Sequence, residues 1–128
     1  MQAIIVEGGR PLVGGVRVHG AKNSVLPILA AAILAPGQSV IHNCPPLSDV
    51  AASLGILRHL GCRAGQHGTG LTVDATALTG SSVPDALMRE MRSSVIFLGA
   101  ILGRAGEAGL TCPGGGELGP RPIVLLLR

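Results

Sequence analysis

Two short segments recur at the same distance along this 128-residue chain. Ala32-Ile33-Leu34 returns as Ala100-Ile101-Leu102, and Cys44-Pro45 returns as Cys112-Pro113, each 68 residues further on. In both copies a helix-forming run of small residues precedes a glycine turn, a strand-forming run and the Cys-Pro pair. Self-similarity at a fixed period is the mark of a fold assembled from repeated supersecondary units. The unit alternates helix and strand, so the fold class it predicts is α/β. The second copy offers its helix and strand but no second helix. The final IVLLLR is an apolar run with neither cap nor turn. That pattern predicts an unfinished second unit with an exposed apolar edge.

Local signals place the elements. Ala3–Val6 is β-branched and apolar, and Val13, Val16 and Val18 mark a second strand region around Gly14-Gly15. Asn23 or Ser24 is expected to cap a helix running through LPILAAAILA to Ala35, with Pro27 in its first turn. Pro36-Gly37 stops it, and Ser39–His42 reads as a strand. Ser48 is expected to cap a helix whose apolar face is Val50, Leu54 and Leu57. Gly61 suits the position just past its end. Leu71–Val73 is a short strand after the turn-rich GQHGTG. Asp85 opens a third helix with Leu87, Met91, Val95, Leu98 and Leu102 on one broad face. Gly106 and Gly109 bracket a turn, and Leu110–Cys112 is a strand leading into the glycine loop Pro113–Pro122.

Composition narrows the function. Phe97 is the only aromatic residue, so the base-stacking platforms of single-strand nucleic-acid binders are missing. The net charge is +3 and the ten basic residues are scattered, which suits a small anionic substrate better than a polyanion. The first residues lack the basic and apolar regions of a signal peptide. No apolar stretch reaches the roughly 20 residues of a membrane span. Three cysteines do not make a disulfide framework. These signals predict a cytoplasmic protein with reduced thiols.

Two loops carry chemistry. Gly114, Gly116 and Gly119 formally satisfy GxGxxG, but Pro120 and Pro122 oppose the helix that a dinucleotide fingerprint requires, and the distal acidic residue is missing. Arg121, held between two prolines, presents a pre-ordered guanidinium to an anion. In GAKNS, Gly20–Ser24, Lys22 adjoins the free amides and positive dipole end of the helix that follows. Arg89 and Arg92, three residues apart in MREMRSS, are expected to share a helix face, paired with Glu90 or Asp85 or free to meet a substrate. His42 with Cys44, and His59 with Cys62, lack the spacing of a zinc site. The cysteines read as small buried hydrophobes.

GAKN, LPILAAAILA, the MRSS segment and PGG-x-ELGPRPI occur here in one order. In that order and spacing the whole chain resembles the N-terminal part of the enolpyruvyl transferase family, in its UDP-N-acetylglucosamine 1-carboxyvinyltransferase branch. The sister enzyme of the shikimate pathway has a different lysine motif. The resemblance implies an inside-out α/β barrel built from repeated β/α units. This chain would hold about one and a half of them: an N-terminal strand segment over 1–21, packing with a second domain, and a partial domain over 22–128. It implies transfer of the enolpyruvyl group of phosphoenolpyruvate to the 3′-hydroxyl of UDP-N-acetylglucosamine, the first committed step of peptidoglycan synthesis, with no cofactor and no metal. Both substrates are the partners the resemblance implies; composition points to neither nucleic acid nor membrane, and the exposed apolar edge, including Val124–Leu127, is expected to allow self-association.

The same resemblance assigns residues. Lys22, Asn23 and Arg121 match positions that contact phosphoenolpyruvate. Arg92, Arg121, Pro122, Ile123, Val124 and Leu125 match the UDP-sugar site. Gly116 stands where the family keeps its general-acid cysteine or aspartate, Val124 where it has aspartate, and Leu126 where it usually has histidine. Glycine donates no side-chain proton, so the resemblance implies an enzyme lineage in which this chain alone is inactive.

Overall fold

The computed structural model describes residues 2–110, apart from the side chains of Arg92 and Leu110. Its elements are α1 (Lys22–Ala31), β1 (Gln38–Ile41), α2 (Ser48–His59), β2 (Arg63–His67), β3 (Gly70–Asp74), β4 (Ser82–Val83), α3 (Asp85–Arg89), a 3-10 turn (Arg92–Val95), α4 (Ile96–Ala105) and β5 (Gly109–Leu110). Helices and strands mix as the repeat predicts.

The larger sheet has the order β1-β3-β2, with β3 antiparallel to both neighbours. β1 and β2 are therefore parallel to each other, and α2 is the crossover between them. β2 and β3 form a hairpin in which His67 faces Gly70 across Gly68-Thr69. Gly68 takes a φ of 59° there, as tight hairpin turns require. The start of GQHGTG thus belongs to β2 and only its middle turns. The alternation of β3 puts Leu71 and Val73 fully inside, while Thr72 and Asp74 remain half-buried.

α2 is buried on more than its expected face. Val50, Leu54 and Leu57 are inside, and so are Ala52, Ser53 and Ile56. The reason is placement: α2 touches β2, α1 and α3 together. It ends in a Schellman motif, with Cys62 N–H on the Leu57 carbonyl and Gly61 N–H on that of Arg58. Gly61 adopts a φ of 100°.

Several sequence expectations need correction. α1 starts at Lys22 with Ala21 as its N-cap residue, so neither Asn23 nor Ser24 caps it. Pro27 then lies in the second turn and leaves the Asn23 carbonyl without its i+4 amide. The helix closes at Ala31, where Ile33 N–H on Ala30 and Leu34 N–H on Ala31 tighten the last turn. α2 likewise starts at Ser48 after Leu47, with no side-chain cap.

The third helix is broken. Met91 is extended, at φ −145° and ψ 125°, between α3 and the 3-10 turn. The hydroxyl of Ser94 donates to the Met88 carbonyl at 3.1 Å and replaces the amide that a continuous helix would have supplied. Leu98 and Leu102 lie on α4 and are only partly covered.

The strands expected within Ala3–Val18 do not form. Residues 2–19 contain neither helix nor strand, and Ile4, Ile5, Val6, Leu12, Val13, Val16 and Val18 are between 83% and 100% exposed. β-branched residues supply propensity, but a strand also needs a hydrogen-bonding partner. No described residue supplies one.

The repeat is visible as order: α1, a turn at Gly37 and β1, then α4, a turn at Gly106 and β5. α1 and α4 pack together. Ile33 and Ile101 are fully buried, while Leu34 and Leu102 are half-exposed. The copies differ in partners, because β5 pairs in parallel with β4. Of the expected strand Leu110–Cys112, only Leu110 lies among the described residues.

Gly61 offers a direct test of this packing. A Cβ there would meet the Ala77 carbonyl and the Thr79 hydroxyl at 2.9 Å. Gly61→Ala is expected to lower stability by about 2 kcal/mol or more, read as a drop in the urea midpoint at unchanged m-value.

Candidate functional site at the amino ends of α1 and α2

The GAKN segment is set by close backbone contact. A Cβ on Gly20 would lie 2.3 Å from the Asn43 carbonyl oxygen, so only glycine fits. Asn43 follows β1 with a φ of 56°, and the next residue, Cys44, donates its N–H to Thr69 in the hairpin turn at 2.7 Å. The sheet therefore fixes the Asn43 turn, and the turn fixes the loop that launches α1.

Lys22 is the first residue of α1. Its ammonium meets Oδ2 of Asp49 at 2.5 Å, with the lysine side chain 51% exposed and the aspartate 17%. Asp49 occupies the first turn of α2, where the helix dipole favours an acid. The amino ends of α1 and α2 thus meet through one ion pair. Asn23 lies exposed at the same end of α1.

One turn along α2, Ser53 carries the connection further. Its buried hydroxyl donates to the Asp49 carbonyl at 2.8 Å, and Met91 Sδ lies 3.4 Å from the Ser53 Oγ. Met91 immediately precedes Arg92, whose backbone opens the 3-10 turn. Asp49 and Ser53, spaced i and i+4, thereby bring the GAKN loop and the MRSS segment onto one helix. Arg89 belongs elsewhere: it pairs with Asp85 on α3, and the break at Met91 removes the helix face that Arg89 and Arg92 were expected to share. Gly116, Arg121, Pro122, Ile123, Val124 and Leu125 lie outside the described residues, as does Cys112.

A half-exposed ammonium held by a carboxylate, beside helix amides with no side-chain cap, is chemistry for holding a small anion. Cys44 and Cys62 are buried, whereas His42 and His59 are exposed. Among the described residues no group of three or more His, Cys, Asp and Glu side chains is placed to hold a metal ion. Burial raises the thiol pKa of Cys44. It does the same for Cys62, where Arg104 partly opposes the rise and Asp74 adds to it. A shallow groove between α1 and α4, lined by Pro27, Ala30, Leu34, Ile96 and Ala100 among others, is apolar and offers no polar group for catalysis. Among the described residues no helix is long and apolar enough to cross a membrane.

Sequence reasoning missed Asp49, because an acid in the first turn of a helix is ordinary. A clearer signal was in plain view: Lys22 is the only lysine in the chain, against nine arginines.

Residues 6–128 match the sequence model of the EPSP synthase (3-phosphoshikimate 1-carboxyvinyltransferase) family, and the chain belongs to that family of enolpyruvyl transferases. Within it, the curated relatives carry a more particular name. UDP-N-acetylglucosamine 1-carboxyvinyltransferase 2 of Caldanaerobacter subterraneus subsp. tengcongensis is 51% identical over 96% of this chain and 30% of its own length. UDP-N-acetylglucosamine 1-carboxyvinyltransferase 1 of Symbiobacterium thermophilum is 47% identical over 97% of this chain and 29% of its own. The crystal structure of the enolpyruvyl transferase NikO from Streptomyces tendae superposes with a TM-score of 0.67 at 35% identity, covering 77% of this chain and 23% of that one. The chain spans about 30% of the length of the curated relatives it matches.

The raised thiol pKa values leave little thiolate at neutral pH. Cys44 and Cys62 are therefore expected to resist maleimide at pH 7.5 and to react once the chain is denatured. Peptide mapping of the labelled sites reads this out.

Proposed function

We propose that this chain supplies one wall of the active-site cleft of an enolpyruvyl transferase. The reaction moves the enolpyruvyl group of phosphoenolpyruvate onto the 3′-hydroxyl of UDP-N-acetylglucosamine and releases phosphate, in the cytoplasm, at the entry to peptidoglycan synthesis. The observation that carries this reading is the link Lys22–Asp49–Ser53–Met91, which gathers two motifs of the resemblance onto α2. The fuller architecture goes with it: an inside-out barrel of repeated units, with residues 1–21 packing against a second domain and 22–128 forming part of the first.

The roles follow from charge and reach. Lys22, Asn23 and Arg121 hold the phosphate and carboxylate of phosphoenolpyruvate. Arg92 and Arg121, with Pro122, Ile123, Val124 and Leu125, line the UDP-sugar. The hydroxyl gives up its proton and adds to the enol carbon as the methylene carbon takes one, and the tetrahedral adduct then loses a methyl proton together with phosphate, which restores the enol double bond. Gly116 occupies the place of the proton donor and has none to give. Loss of a positioned acid costs about 10²–10⁴ in rate, so the chain alone is expected to be catalytically silent.

Gly116 also favours a second reading, a binding fragment that holds one or both substrates without turnover. Self-association is part of that reading, through the exposed apolar residues of 2–19 or the edge Val124–Leu127.

Phosphate release from phosphoenolpyruvate with UDP-N-acetylglucosamine, measured for the chain and for Gly116→Cys, separates these readings. Silence from both, with calorimetric binding of phosphoenolpyruvate that weakens at least about tenfold in Lys22→Ala, is the expected result. Turnover by Gly116→Cys alone would show that the cleft assembles and that only the acid is missing. Failure to bind either substrate would sink both readings.

A further inference from the structure

We infer that Asp49 is a positioning residue, which holds the Lys22 ammonium in the one geometry that distinguishes phosphoenolpyruvate from a simple phosphate. The inference rests on the reading of Lys22 as a phosphoenolpyruvate contact. Lysine is a compact charge on a flexible four-carbon stem, so by itself it favours no particular anion geometry. Here it is the chain's only lysine, and the stem is tied down by the 2.5 Å ion pair to Asp49.

The two partners differ in freedom. Asp49 is the more buried of them and stands in the first turn of α2. The Ser53 hydroxyl holds its carbonyl at 2.8 Å, and Val50, Leu54 and Leu57 bury the helix beneath it. Groups mounted on such packed elements hold functional geometry better than groups on loops. The ammonium has three donors and the carboxylate only accepts. One donor is spent on Asp49, and the remaining two are turned toward whatever approaches the open end of α1. The carboxylate also repels any approaching anion, phosphoenolpyruvate and inorganic phosphate alike. Asp49 thus trades general anion affinity for orientation. A ligand with phosphate and carboxylate at fixed separation gains from the orientation, and inorganic phosphate does not.

The single lysine makes the test direct. In the full chain labelled with 13C and 15N lysine, Lys22 gives the only side-chain lysine signals. Its two ε-methylene protons are expected to be inequivalent in the parent and to merge in Asp49→Asn. The ratio of the phosphate Kd to the phosphoenolpyruvate Kd is expected to fall about tenfold in that variant, the worth of one oriented charge-assisted hydrogen bond. A merely structural role for Asp49 would weaken both ligands together and leave the ratio alone. If Asp49→Asn does not fold, Asp49→Glu keeps the charge, moves it by one methylene and is read on the same signals. Parent-like methylene signals and an unchanged ratio in Asp49→Asn, while Lys22→Ala loses phosphoenolpyruvate, overturn the positioning role and leave the substrate reading standing. Unaltered phosphoenolpyruvate binding in Lys22→Ala overturns the substrate reading itself, and the inference with it.

Discussion

Burial of α2 against β2, α1 and α3 is the constraint from which the described fold follows. A surface helix presents one apolar stripe and turns its other face to water. α2 presents Val50, Leu54 and Leu57 together with Ala52 and Ile56, so it must be covered twice. β2, α1 and α3 share that cover. That arrangement makes β1 and β2, parallel to each other, the two antiparallel neighbours of β3, and it places the amino end of α1 beside that of α2. Two polar residues of this helix, Asp49 and Ser53, reach Lys22 and Met91.

Local signals were legible in the sequence wherever a single element decides its own fate. Gly61 and Gly106 end their helices with positive φ, and β1 and β3 fall where β-branched alternation places them. The failures share a cause: in each, a distant partner overrides local propensity. α1 begins ahead of its expected cap because Gly20 locks against Asn43. The third helix breaks because Ser94 takes the Met88 carbonyl and Met91 turns in against Ser53. The valines of residues 13–18 have strand propensity and no partner among the described residues.

The candidate site divides in the same way. Lys22 and Asn23 were visible as part of a compact motif, since GAKN is contiguous. Arg92 was visible as a residue, but its route to Lys22 was not. That route runs through Asp49 and Ser53, one helical turn apart on an element that carries neither motif. A reader of the sequence sees an aspartate that suits the helix dipole and a serine at an apolar position. Only their placement between two loops makes them part of the site.

Gly20 and Lys22 sit two residues apart and are held by unlike forces. The glycine answers to a carbonyl 2.3 Å from where its side chain would begin, a matter of shape that lasts as long as the fold does. The lysine answers to an ion pair and to whatever the pair is built to receive. In a descendant that kept the architecture and abandoned the ligand, position 22 would be free to drift while position 20 would not. The motif would erode from its charged end and leave a glycine held by shape alone.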